Sequence, residues 1–582
     1  MPEGDVAIRI GGAAGDGVTS TGEIYAIACA RSGLHVTTYE SYQSVIRGGH
    51  VWFQIRAANE KRYSQGDTFQ LLIGLDQQTL DIHAPLLTAP GGVIFDNDRH
   101  DLDEGVLPEG VQSLPVPAQA ISMEVSGKPL MQNVATLGAL AHYVGLDLKV
   151  LHGSLVKMFG RKGEEVVKLN ETVAEQGYHH AAEQHKPFEF ALRPNGEGRP
   201  IMSGHQSLCL GALAGGVKLV AQYPMTPATG ILHWMAAHAK DYGVVVKQTE
   251  DELAAMNLVI GANFAGARAM TATSGGGYSL MVEATGLAGM TETPAVIVES
   301  QRAGPSTGLP TKTEQGDLQM IFGASQGDFP RIILAPRNPE ECFEAAWRAF
   351  NLAENYQCPV FIVTDLYLGE MWRTVEPPDF QVPIVRGLVV EDGEEDYRRY
   401  EITESGISPR ALPGQSGLMF VAGSDEHDEK GDLISDVLAG IPEHIDTRTR
   451  MMDKRMRKLE TALREMNPPE LWGPPEADLT IVSWGSTQAA VRDALEILKT
   501  GGIRANSLEF SDLWPLRVEE ARKALEDASE TLIVEGNYTG QFHRLLRAET
   551  GIRVAHELHK YDGEPFYPRE IVRKAQEVLD GR

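Results

Sequence analysis

The stretch KQTEDELAAMNLVIGANFAG, Lys247 to Gly266, sets three carboxylates, Glu250, Asp251 and Glu252, directly before small and apolar residues, with no further charge until Arg268. Thr249 followed three residues later by Glu252 fits a capping box, and acids in a first helical turn meet the positive end of the helix dipole. Local physics favours capping for all three. A chemical duty for one of them has to come from the rest of the chain.

Other stretches carry groups suited to anions and flat ligands. In YPMTPATG, Tyr223 to Gly230, two prolines fix the backbone around Thr226. It reads either as an ordinary strand-to-helix connection with Thr226 or Thr229 as N-cap, or as one of the rigid loops at strand carboxyl ends where α/β domains keep ligands. QRAGPSTGLPTK, Gln301 to Lys312, follows a strand and carries Arg302, Ser306, Thr307 and Lys312 among Gly and Pro. An arginine followed by a hydroxyl and glycine loop suits carboxylate binding, against the alternative of a surface side chain. TATSGGGYSLMVEATGLAGM opens with Gly275 and Gly276 and continues as small residues. That smallness allows close approach to a flat ring or to a neighbouring helix. GGAAGDG, Gly11 to Gly17, lies between a strand and a helix, where backbone N–H groups hold phosphate or make a tight turn. With Glu40 ending the next strand it imitates a dinucleotide fingerprint, but G-x-G-x-x-G cannot be laid over these glycines, so NAD is not expected.

The elements that position these residues are α/β throughout. At 582 residues the chain is too long for one core. Residues 1–190 open with strand, Gly-rich turn, helix closed by Gly33 and second strand; FQLLIGLD and GGVIFDND read as buried strands and NVATLGALAHYVG as a helix with a glycine stop. A polar Pro/Gly linker ends near Pro200. A second α/β segment, 200–375, ends near CPVFIVTDLYLG. The third, 376–582, begins with an acidic excursion expected to be solvated and a charged helix, DTRTRMMDKRMRKLETALREM, expected to be exposed. ADLTIVSWGSTQAAVRDALEILKTGGIRANSLEF then gives strand, amphipathic helix, Gly-Gly stop and strand. Three α/β domains in series is the expected fold.

The net charge of −28 argues against a nucleic acid partner. No apolar run reaches the roughly 18 residues of a membrane span. The start MPEGDVAIRI lacks a signal-peptide pattern, which makes the cytoplasm the expectation. Cys29, Cys209, Cys342 and Cys358 form no C-x-x-C pair, so neither an iron–sulfur cluster nor a structural zinc has ligands, and no metal site is expected. Electrons, if handled, need a carrier on another chain.

Taken in order, YPMTPATG, EDELAAMNLVIGANFAG, TATSGGGYSLMVEATGLAGMTETP and QRAGPSTGLPTKTEQGDL resemble the alpha subunit of 2-oxoacid:ferredoxin oxidoreductases, most of all the 2-oxoglutarate type. GGAAGDGV with YESYQSVIRGGH resembles that family's gamma domain, fused ahead, and the segment with SWGSTQAAVRDAL resembles a transketolase C-terminal-like domain. The resemblance implies a gamma-type domain, a thiamin diphosphate pyrimidine-binding domain and that third domain. It implies oxidative decarboxylation of a 2-oxoacid on thiamin diphosphate, electrons passing through a [4Fe–4S] cluster to ferredoxin, and an acyl-CoA product, in the oxidative or the reductive, CO2-fixing direction. The diphosphate, Mg2+ and cluster belong to a beta subunit, which fits the absence here of cluster cysteines and of the asparagines that complete a G-D-G diphosphate motif: Tyr42 to Arg47 occupy their place. An assembly of two alpha and two beta chains is implied.

The family places a glutamate nine residues before a helix glycine, to hydrogen-bond the cofactor's aminopyrimidine ring. Glu252 stands nine before Gly261, so Glu252 is the implied catalytic residue, leaving Glu250 or Asp251 to serve the dipole. Thr226, Gly275 and Gly276 would lie against the cofactor. Thr226, Arg302, Ser306, Thr307 and Lys312 would meet the substrate, and two cationic groups suit the dicarboxylate 2-oxoglutarate. Ser41, Tyr42, Arg47, Gly48 and Gly49 would meet coenzyme A, with a structural turn as the alternative. Pyruvate or a branched-chain 2-oxoacid on the same chemistry, a non-catalytic CoA- or nucleotide-binding assembly subunit, and a pyridine-nucleotide oxidoreductase remain the competing readings.

Overall fold

A computed structural model of the chain describes residues 4–44, 48–190, 192–391, 396–434 and 442–581. Its backbone contacts divide it into two units: residues 1–203 with 371–377 and 567–569, and 204–370 with 378–566 and 570–582.

The first unit is built on an eight-stranded mixed sheet. Its central strand, Asp5–Ala13, is buried nearly throughout, as a strand covered on both faces must be, and its two charged residues are paired inside: Asp5 with Arg56, and Arg9 donating to Gln54. It pairs antiparallel with His50–Ala58 and parallel with Leu71–Gly74. The far edge is completed by Trp372–Thr374 and Ile201–Ser203. Helices Gln132–Val144 and Glu164–Gln184 cross so closely that a Cβ at Gly138 would lie 1.9 Å from the Ala174 carbonyl and one at Gly177 2.1 Å from that of Ala135.

The second unit holds two sheets over a shared core in which Ile297, Phe361, Trp484, Phe510 and Leu513 belong to one cluster. The seven-stranded sheet runs Asp512–Trp514, Ile332–Leu334, Pro359–Asp365, Ala295–Gln301, Ala269–Thr273, Leu219–Gln222, Val245–Gln248, parallel except for the first strand. That first strand comes from the third sequence segment, so this sheet draws on both. The five-stranded sheet runs Glu470–Trp472, Ala505–Phe510, Leu479–Trp484, Thr531–Glu535, His556–His559, with only the Glu470–Trp472 edge antiparallel. The α/β reading of the sequence is therefore correct.

The charged helix, Pro442–Ala462, is not the exposed rod its composition suggests. Lys454 and Lys458 are fully buried, both ion-paired to the buried Glu292, with Arg399 donating to the Glu292 carbonyl at 2.7 Å. Arg455, also buried, pairs with Glu426 at 2.7 Å. A carboxylate held inside the fold needs cations, and this helix supplies them. All four cysteines are buried and free. Among the described residues no helix is long and apolar enough to cross a membrane.

Candidate functional site

Four adjacent parallel strands of the seven-stranded sheet end on the same side, and each opens into one of the loops singled out by sequence. Leu219–Gln222 leads to Thr226, Val245–Gln248 to Glu252, Ala269–Thr273 to the three glycines, and Ala295–Gln301 to Arg302. Carboxyl ends of parallel strands are where such sheets hold ligands.

The three carboxylates divide their duties. Asp251 is the N-cap: its backbone is extended and its side chain accepts from the Ala254 N–H at 2.7 Å. Thr249 donates to the Asp251 carbonyl at 2.9 Å, so no capping box forms with Glu252. Glu252 starts the helix Glu252–Phe264 but turns inward and is only 2% exposed. Its Oε1 has no hydrogen-bond partner among the described residues. Burial pushes its carboxyl above the usual carboxylate range, with a smaller contribution from Asp251.

Glycine at 277 is what gives that carboxylate its place. A Cβ there would lie 2.0 Å from Thr273 Oγ1 and 2.6 Å from Glu252 Oε1. This third glycine of the run, and Thr273 with it, were missed by sequence reasoning, which chose its neighbours. A Cβ at Gly275 would instead meet the Asp317 carboxylate at 2.4 Å, and Gly276 is exposed with open space around it. Gly261, whose spacing singled out Glu252, likewise faces open space. Gly277→Ala is expected to destabilise the chain by about 1–3 kcal/mol through overpacking, as read by thermal unfolding.

Thr226 and Arg302 come together: Arg302 Nη1 donates to the Thr226 carbonyl at 3.0 Å. Thr273 Oγ1 lies 3.9 Å from Met225 Sδ, which joins this pair to the Glu252 and Gly277 pair. Behind Arg302 the buried Glu299 faces Asp317, and burial together with that like charge raises the Glu299 carboxyl well above its usual range. Burial raises Asp317 as well, against the opposing pull of its contact with Glu299 and of the Arg302 charge beside it. Ser306 and Thr307 are exposed on the loop, and Ser306 has the left-handed backbone φ of 57°. Lys312 is ion-paired to Glu564, so its charge is already matched within the chain.

In the first unit, the Gly48 N–H donates to the Ala14 carbonyl at 3.3 Å and the Ala14 N–H to that of Gly49 at 3.1 Å, tying this turn to the Gly11 to Gly17 loop. Gly48 and Gly49 both have φ of 76°. Ser41 is buried and Tyr42 half-buried against the core; Arg47 lies outside the described residues. Asp16 Oδ2 accepts from the Ala13 N–H at 3.0 Å, so this loop already holds an anion of its own. Glu40 accepts from Thr19, and burial raises its carboxyl. Among the described residues no group of three metal-binding side chains occurs.

The family described as pyruvate flavodoxin/ferredoxin oxidoreductase, thiamine diP-bdg, matches residues 210–445, and that described as pyruvate ferredoxin/flavodoxin oxidoreductase matches residues 7–180. The chain is 31% identical to a 2-oxoacid:ferredoxin oxidoreductase subunit alpha of Sulfolobus sp, over 98% of this chain and 96% of that one. It is 36% identical to the 2-oxoglutarate synthase subunit KorA of Methanothermobacter thermautotrophicus, over 64% of this chain and 96% of that one. The 2-oxoglutarate:ferredoxin oxidoreductase structure from Magnetococcus marinus with 2-oxoglutarate, coenzyme A and succinyl-CoA bound is similar at a TM-score of 0.92 and 34% identity, over 99% of this chain and 100% of that one.

Proposed function

Because this chain belongs to the 2-oxoacid:ferredoxin oxidoreductase alpha-subunit family, whose members are enzymes that need partner subunits, we propose that it oxidises 2-oxoglutarate to succinyl-CoA and CO2, with electrons leaving for ferredoxin. The observation that carries the reading is the buried, unpartnered Glu252 Oε1 over Gly277, at the converging ends of four parallel strands. These residues fit an aminopyrimidine ring. The carboxylate has a free acceptor in a place water does not reach, and the missing side chain at 277 leaves room for it. Thiamin diphosphate, when bound, supplies the carbon nucleophile and electron sink for decarboxylation. Glu252 would hold that ring by accepting a hydrogen bond at Oε1, the contact that favours proton transfer within the ring. Arg302, fixed on the Thr226 carbonyl, presents its remaining N–H groups to a substrate carboxylate.

Leu253, Leu258 and Leu280 are 43%, 38% and 47% exposed on the two helices beside this carboxylate. Their occupant is the beta subunit, which in this reading brings the diphosphate site, Mg2+ and the [4Fe–4S] cluster to an assembly of two alpha and two beta chains. The segment with Ser41, Tyr42, Arg47, Gly48 and Gly49 serves coenzyme A. The choice of 2-oxoglutarate draws on the substrates named for the Methanothermobacter and Magnetococcus proteins, since Lys312 is already paired.

The test is a substrate panel on the assembled complex. Ferredoxin reduction is expected to favour 2-oxoglutarate over pyruvate and branched-chain 2-oxoacids by at least about tenfold in kcat/KM, and Arg302→Gln to raise the KM for 2-oxoglutarate about 10- to 100-fold, the scale of a lost charge-assisted pair. A preference for pyruvate would overturn the substrate assignment.

A further inference from the structure

The five-stranded sheet has a ligand crevice of its own. Leu479–Trp484 is followed by Ala505–Phe510 on one side and by Thr531–Glu535 on the other, so the strand order reverses between Trp484 and Glu535. Doubly wound sheets bind ligands at that point, outside the strand carboxyl ends. Here the crevice is filled by Gln315, a residue of the same loop that carries Arg302, and Gln315 is 2% exposed.

Gln315 Nε2 donates to the Trp484 carbonyl at 3.0 Å, and Gln315 Oε1 accepts from the Gly536 N–H at 2.9 Å. Its backbone N–H donates to the Gly536 carbonyl at 2.6 Å, and its carbonyl accepts from Asn537 Nδ2 at 3.1 Å. A Cβ at Gly485 would come within 2.9 Å of Gln315 Nε2, so the crevice is shaped around this side chain. The space remaining beside it, between Thr313, Ser486 and Lys560, is a cavity of about 20 Å³. That is room for about one water and for no organic ligand.

The anchor reaches Arg302 through the backbone. Lys312, three residues before Gln315, accepts at its carbonyl from the Ala303 N–H at 3.0 Å, and Ala303 directly follows Arg302. Gln541 Nε2 holds the Gly316 carbonyl at 2.6 Å on the other side of the anchor.

We infer that Gln315 is a positioning residue for the substrate-carboxylate arginine, and that the carboxyl-terminal sheet serves the reaction by gripping this loop in its ligand crevice. The inference rests on the proposed function, since Arg302 is taken there to meet the substrate.

The test compares wild type, Gln315→Ala and Gln541→Ala in the assembled complex, by 2-oxoacid kinetics and by amide hydrogen exchange. The expected result is a KM for the 2-oxoacid raised about tenfold in Gln315→Ala and less in Gln541→Ala, kcat within about twofold, and exchange protection lost across residues 303–316 but kept across 275–290. Loss of protection on both segments, or a fall in kcat with KM unchanged, would assign Gln315 a general structural role and overturn the inference. Unchanged protection in 303–316 would overturn it directly. A wild-type complex that turns over no 2-oxoacid would instead overturn the proposed function, while the exchange data still report whether Gln315 holds the loop.

Discussion

Replacing Glu252 by Gln is expected to lower turnover of the assembled complex by at least about 100-fold, the usual scale for losing a positioned acid or base, without preventing assembly. Gln fills the same volume over Gly277 and disturbs neither the Asp251 cap nor the packing of the helix behind it. It removes only the anionic acceptor. Stability should move the opposite way. Burial raises the folded-state pKa of Glu252 above its ordinary 4.5, so the folded chain resists ionising a group that the unfolded chain ionises readily. That cost is absent below pH 4.5, grows as the pH rises toward the folded value, and persists above it. The isolated Glu252→Gln chain should therefore melt higher than wild type near neutral pH and match it in acid. Loss of activity with gain of stability marks a residue held in place for function. Equal turnover of the two forms would return Glu252 to a structural role.

The largest effect on stability is expected at Glu292→Gln. Two fully buried ammonium groups, Lys454 and Lys458, share this one carboxylate, Lys454 at 2.5 Å. Burial alone would raise the Glu292 carboxyl, but the lysines and Arg399 reverse that and hold it well below the usual carboxylate range; burial pushes Lys454 down to about 7. Removing one partner of a buried ion pair typically costs about 3–5 kcal/mol, because the remaining charge stays uncompensated. The helix Pro442–Ala462 should then be released, visible as new protease cleavage within it and a lower denaturant midpoint. Since the folded-state pKa of Glu292 is depressed, its stabilisation is present above the unfolded value of 4.5 and is lost as the pH falls below it. Wild type should thus release the same helix in acid. An unchanged midpoint and cleavage pattern in Glu292→Gln would contradict this account of the cluster.

The loops around the site were legible in sequence because proline, glycine and buried strand ends punctuate them, and parallel strands bring successive loops to one edge. Choosing Glu252 from three adjacent acids was not a matter of local physics; it came from a family spacing, and the glycine that defines that spacing faces open space. Within Gly275-Gly276-Gly277 the sequence carries no helix phase, so the glycine under the carboxylate could not be told from its neighbours. Gln315 was invisible for a different reason: its partners stand 169 and 221 positions away. The misread helix has the same cause. Lysines that composition assigns to solvent are buried because Glu292, 162 positions from Lys454, demands them. Lys312 looked available for a substrate until Glu564, 252 positions on, met it.

The most direct measurement is release of labelled CO2 from carboxyl-labelled 2-oxoglutarate by this chain assembled with a beta subunit, with thiamin diphosphate, coenzyme A and ferredoxin supplied. Release that requires this chain and each of those components, with ferredoxin reduced in step, is the expected result. Release by the beta subunit alone, or none from any 2-oxoacid despite a well-formed complex, would contradict the assignment of half the active site to this chain.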